Sequence, residues 1–164
     1  MKTFKIFIAI LALTATAAKA QFIKAELQVN GLTCSLCSKA TEKSLRTLDF
    51  IGDIKVDLNR NIFLLTFKKE ASVNLDQISK KVENAGFFVN NLKATFNFDN
   101  VKVLNNYFSY TGNTYHLINA GNKALSGPVV FTVVDKGFAP ASVYKKYNTV
   151  AGDNRTGKVY KVII

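Results

Sequence analysis

The chain has 164 residues, 48% of them apolar, with a formal net charge of +11. That length suits one domain or two small ones, and that apolar fraction excludes a disordered tail protein. Two cysteines are too few for a disulfide-scaffolded miniprotein.

Residues 1–20 stand apart from the rest. Lys2 and Lys5 open a basic start, Ile6 to Ala18 is a charge-free run of 13 residues, and Ala18-Lys19-Ala20 has the small-x-small form of a cleavage site. The pattern predicts a secretory signal peptide cut after Ala20. The run is shorter than the roughly 20 residues a membrane span needs. A lipoprotein anchor is not expected, because no cysteine lies near the cut, and no later segment reads as a span. The mature protein is therefore expected to begin at Gln21, in a bacterial periplasm or outside the cell.

Loss of Lys2, Lys5 and Lys19 would lower the charge to +8. The remaining lysines are dispersed, with runs no longer than the pairs at 68–69, 80–81 and 145–146. A solvated basic surface explains them better than a nucleic-acid footprint.

From Phe22 to Val29, inward Ala25, Leu27 and Val29 alternate with Lys24, Glu26 and Gln28, the period of a half-buried strand. Asn30-Gly31 breaks it. Ser38 to Leu48 reads as a helix with Ala40, Leu45 and Leu48 inward. Ile54, Val56 and Leu58 mark a second strand. Asn59-Arg60-Asn61 then suits a hairpin turn, since Asn tolerates positive φ. Ile62 to Phe67 makes the third strand. Asn74 can cap a second helix with Gln77 as its partner, and Leu75, Ile78, Val82 and Ala85 form its inner stripe. Gly86 stops it. Leu92, Ala94, Phe96 and Phe98 alternate along a fourth strand. The order β-α-β-β-α-β predicts an α+β, ferredoxin-like domain over residues 21–98, with two helices on one face of an antiparallel sheet.

Residues 99–164 predict a separate small β-rich module. Strand candidates are Val101 to Tyr110, Thr114 to Asn119, Val129 to Val134 and Lys158 to Ile164. Thr111-Gly112-Asn113, Gly121-Asn122, Ser126-Gly127-Pro128 and Asp135 to Phe138 suit turns, and Gly152-Asp153-Asn154 a loop. Pro140 can open a short helix through Tyr147. A compact barrel and a meander packed on the first domain both fit.

The two cysteines are Cys34 and Cys37, in the loop "NGLTCSLCS" between the first strand and first helix. Two intervening residues let both sulfurs converge on one point. Cys37 sits at the helix entrance, where unpaired amides and the dipole should make it the more acidic thiol. Such a loop stays at the surface. Two thiolates without a nearby histidine or carboxylate make a poor structural zinc site. Soft donors in low coordination number suit Cu(I), Ag(I) or Hg(II). A disulfide and a thiol-disulfide exchange pair remain open, because an exported pair tends to oxidise.

The motif Gly31-Leu32-Thr33-Cys34-Ser35-Leu36-Cys37, set in this element order, resembles the heavy-metal-associated domain family. That family includes copper chaperones, the N-terminal modules of metal-pumping ATPases and the periplasmic mercury-binding protein. Its pattern is Gly-Met-Thr-Cys-x-x-Cys, and the likeness covers residues 22–98. The resemblance implies that Cys34 and Cys37 are metal ligands and that Leu32, in the Met position, packs beneath the loop. It also implies that Phe87 of Ala85-Gly86-Phe87 lies near the metal. Thr33 before the first cysteine is similar to copper and mercury members. Zinc- and cadmium-preferring members often carry an acidic residue there.

These features together predict an exported protein that holds one Cu(I), with Hg(II), Ag(I) or Zn(II) as alternatives, and passes it to a metal transporter or another metal-binding domain. The rival is a periplasmic thiol-disulfide protein. Against it, the chain has no tryptophan, its first domain has no proline, and the longer α/β scaffold is missing. His116, the single histidine, reads as a strand residue. Met1 would leave with the leader, so no methionine could serve as a soft ligand. No Ser/His/Asp set, paired catalytic carboxylates or phosphate loop is visible, so no enzymatic activity is expected.

Overall fold

The computed structural model describes residues 21–121, 124–148 and 158–164. The expected leader, Asn122 and the Gly152-Asp153-Asn154 loop lie outside the described residues.

Strand β1 runs Gln21–Asn30 with Ala25, Leu27 and Val29 buried, as the alternation predicts. Phe22 breaks the parity yet is also buried. A bulge at Ile23, between the pairs Phe22↔Phe96 and Lys24↔Thr95, turns its ring inward. Helix α1 spans Ser35–Leu45, starting three residues before the expected position. Its inner stripe is Ser38, Thr41 and Leu45, whereas Ala40, about 140° of turn from Leu45, is exposed.

Strand β2 covers Ile51–Asp57. Leu58, expected as its last inward residue, instead lies in the following turn and is 55% exposed. In that turn the Asp57 carboxylate accepts the amides of Asn59 and Arg60, and Asn61 has φ +53°. Strand β3 is Ile62–Phe67. Helix α2, Leu75–Asn84, is capped by Asn74, whose side chain accepts the Gln77 amide at 3.3 Å. Leu75, Ile78 and Val82 are buried beneath it, and Gly86 at φ +87° ends it. Strand β4 is Phe88–Asn97. The order β2-β3-β1-β4, antiparallel throughout, completes the expected βαββαβ unit.

The remaining elements are β5 (Tyr107–Tyr110), β6 (Asn113–Leu117), β7 (Pro128–Val133), α3 (Ala141–Asn148) and β8 (Val159–Ile163). Strand β5 is shorter than the expected 101–110, because Asn105 and Asn106 both take positive φ and break it. Thr111 and Gly112, also at positive φ, make the two-residue hairpin turn into β6. These strands extend the first sheet. β7 pairs antiparallel with β4, β8 with β7, and β6 runs parallel to β8, in the order β2-β3-β1-β4-β7-β8-β6-β5.

The sheet rolls partway towards a barrel, so that β5 faces β1 and β4 across the interior. The Phe108 ring lies 5.1 Å from Phe96, and Tyr110 lies 5.1 Å from Phe22. Polar contacts reinforce the closure. The Tyr110 hydroxyl donates to the Ala71 carbonyl at 3.1 Å, and Ser79 Oγ on α2 donates to the Gly137 carbonyl at 2.8 Å. One apolar cluster runs from Leu45 and Ile78 under the helices to Tyr115 and Tyr160. The end of the sheet where β1 leaves for α1 carries the two thiols.

Candidate metal centre

The loop from β1 to α1 turns at Gly31, φ +90°. A Cβ there would sit 3.4 Å from Phe87 Cδ1, so the backbone packs directly against that half-buried ring. Leu32 is buried below the loop and anchors it. Thr33, Cys34, Ser35 and Leu36 are exposed, while Cys37 is half-buried against the core.

Cys34 is the N-cap of α1. Its backbone is extended, at φ −147° and ψ 159°, and its sulfur accepts the Cys37 amide at 3.3 Å. A thiolate here takes the place of the oxygen cap found on most helices. Both sulfurs are free thiols and interact directly. The hydrogen bond from the Cys37 thiol, then that from its amide, holds the Cys34 thiol below its ordinary pKa. The same bond, with desolvation and the Cys34 charge, pushes Cys37 up. The expectation that Cys37 would be the more acidic is thus reversed. The helix begins earlier than its hydrophobic pattern suggests, so the capping position falls to Cys34 and Cys37 becomes the donor.

Cys37 is held in turn by its own helix, where Thr41 Oγ1 donates to its carbonyl at 3.1 Å. Beside Cys34 lies a small cleft of about 170 Å³, walled by Leu32, Thr33, Ser35, Ser38 and, from the β2–β3 turn, Leu58 and Asn61. The last two were not singled out in the sequence as site residues. Their turn signal was plain, but only the pairing of β1 with β3 brings that turn to the thiols. Phe87 packs against the loop at Gly31.

His116 is not brought to this place. It lies in β6, stacked on Tyr107 at 4.2 Å, beyond β4, β7 and β8 in the sheet. Among the described residues no group of three or more His, Cys, Asp or Glu side chains could hold a metal. What the loop offers is two soft donors at one accessible point, with room beside them for a further ligand from outside.

The sequence profile of the heavy-metal-associated domain matches residues 26–88. These residues form a heavy-metal-associated domain. The matched stretch contains the thiol loop, both helices and the first residue of β4. A copper-transporting ATPase of Helicobacter felis is 32% identical over 65 residues, which is 39% of this chain and 9% of the ATPase. A probable copper-transporting ATPase, HMA5, of Arabidopsis thaliana is 36% identical over 64 residues, 39% of this chain and 6% of that protein. The chain thus spans less than a tenth of the length of either relative. Among solved structures, the yeast copper transporter domain Ccc2a is 30% identical, with a TM-score of 0.37 over 41% of this chain and 90% of that domain. Among the described residues no helix is long and apolar enough to cross a membrane.

Proposed function

We propose that the protein holds one Cu(I) between Cys34 and Cys37 and yields it to a partner by ligand exchange. The observation that carries this is the capped pair of free thiols, one exposed and one half-buried, at the end of a heavy-metal-associated domain. The names of the copper-transporting ATPases it resembles support copper over the other soft ions. With Thr33 before the first cysteine and only two soft donors, the loop disfavours Zn(II), which seeks a fuller ligand set, more than Ag(I) or Hg(II).

Transfer follows from the exposure of Cys34. An incoming thiolate can approach through the cleft beside it, form a third bond to the ion and draw it off as Cys34 and then Cys37 release it. The partner is a metal transporter or another metal-binding domain. Export through residues 1–20 would place this exchange in the periplasm or outside the cell. The protein acts as a binder and carrier, with no chemistry of its own on the ion.

The experiment is a titration of the reduced protein with Cu(I) against a competing chelator. Wild type is expected to take one equivalent and to bind far more tightly than the Cys34→Ser, Cys37→Ser double variant. Equal binding by the two would sink the proposal. Turnover of a dithiol substrate without metal would instead establish the thiol-disulfide alternative.

A further inference from the structure

A chain of three carboxamides runs across the open face of the sheet towards the metal loop. Asn30 Nδ2 donates to Asn90 Oδ1 at 3.1 Å, Asn90 Nδ2 to Gln28 Oε1 at 3.0 Å, and Gln28 Nε2 to the Arg60 carbonyl at 3.4 Å. One end is Asn30, the residue before Gly31, where β1 gives way to the thiol loop. The other end is the β2–β3 turn, whose Leu58 and Asn61 wall the cleft beside Cys34. The Val29 amide adds a backbone tie to the Asn61 carbonyl at 3.1 Å.

Surface amides often do no more than meet water. What sets Asn90 apart is how it reaches its place. The pairing of β1 with β4 passes from Gln28↔Asn91 to Val29↔Val89 and skips Asn90, which is the extra residue of a bulge. Without the bulge, Asn90 and Asn91 would alternate and point to opposite faces. With it, Asn90 comes to the same face as Gln28 and Asn30 and bridges the two. A bulge interrupts the ladder, and here it re-aims one side chain next to a candidate site.

We propose that Asn90, acting through Gln28 and Asn30, is a positioning residue that holds the thiol loop at a fixed distance from the β2–β3 turn and keeps Cys37 half-buried. The relay matters to metal exchange only if the thiols bind metal as proposed above. Its effect on the thiols can be measured without any metal.

The test uses the reduced, metal-free full chain. Alkylation by iodoacetamide is followed at each cysteine by peptide mass mapping. In Asn90→Ala the Cys37 rate is expected to rise about fivefold, the size that losing its two hydrogen bonds, to Asn30 and Gln28, at about 0.5 kcal/mol each would give. Cys34, already exposed, changes less. Gln28→Ala should reproduce the increase, and the double variant should exceed neither single one, because both break one relay. Asn91→Ala, one residue along and outside the relay, should react as wild type does.

Wild-type Cys37 rates in both Asn90→Ala and Gln28→Ala would overturn the proposal. So would equal acceleration at both cysteines together with a lowered urea midpoint, which would mean general loosening. If Asn90→Ala does not fold, Gln28→Ala decides alone. Failure of wild type to bind Cu(I) would remove the proposed function and leave this outcome unaffected.

Discussion

Phe22→Ala probes whether the rolled sheet is one cooperative body. Phe22 is 1% exposed, and its ring touches both halves of the interior. Phe67 and Phe96 lie at 6.3 and 4.9 Å on one side, with Tyr110, Tyr115 and Phe131 at 5.1, 5.9 and 6.0 Å on the other. Removing a buried phenylalanine of this kind costs about 3–5 kcal/mol, a large part of the roughly 5–15 kcal/mol that holds a domain folded. With an m-value of about 2 kcal/mol/M, the urea midpoint should fall by roughly 1.5–2.5 M. The chain supplies its own probe. It has no tryptophan, and all six tyrosines lie between Tyr107 and Tyr160. Tyrosine fluorescence therefore reports residues after 98, and far-ultraviolet circular dichroism reports the whole. Both transitions should move together, although the substitution sits in the first strand. A tyrosine transition left at the wild-type midpoint, with a separate earlier change in dichroism, would refute a shared core.

Two further outcomes follow from the local chemistry. As pH rises towards the ordinary thiol pKa of about 8.5, Cys34 should alkylate at a lower pH than Cys37, because its thiolate accepts hydrogen bonds while that of Cys37 is disfavoured by the same pairing and by desolvation; peptide mapping showing Cys37 first would contradict this. Burial raises the Asp135 carboxyl above its ordinary pKa despite the Lys161 amide it accepts, so its favourable contribution exists below the unfolded value of about 3.9 and is lost as pH rises through the folded one. Asp135→Asn, which keeps the acceptor and sheds the charge, should therefore raise the urea midpoint at pH 7 and leave it unchanged well below pH 3.9; a lower midpoint at pH 7 would show that the charge is favoured by its surroundings.

The βαββαβ unit was legible because its signals are local. Alternation at Ala25, Leu27 and Val29, the Asn74 cap, the Leu75–Ile78–Val82 stripe and Gly86 each act within a few residues, and each stands where expected. The errors have local causes too. Helix α1 starts at a capping sulfur, ahead of its hydrophobic spacing, and Ala40 faces outward because it lies five residues, about 140° of turn, from Leu45 on the inner stripe. Leu58 fitted the period of β2, yet the Asp57 carboxylate folds the chain into a turn one residue earlier.

By itself the sequence determined the thiol pair, its place between a strand and a helix, and the shape of the unit that carries it, since spacing, capping and period are properties of neighbouring residues. Only the tertiary structure decided three other matters. It set which sulfur is the better anion, brought the β2–β3 turn beside Cys34, and joined the later strands to β4 in a single rolled sheet. Each depends on residues far apart in the chain or on a hydrogen bond whose donor is chosen by where the helix starts. Strand pairing over such distances is driven by burial of a common aromatic core, from Phe22 to Tyr160, and the alternation within a segment marks its buried face without naming the strand it pairs with.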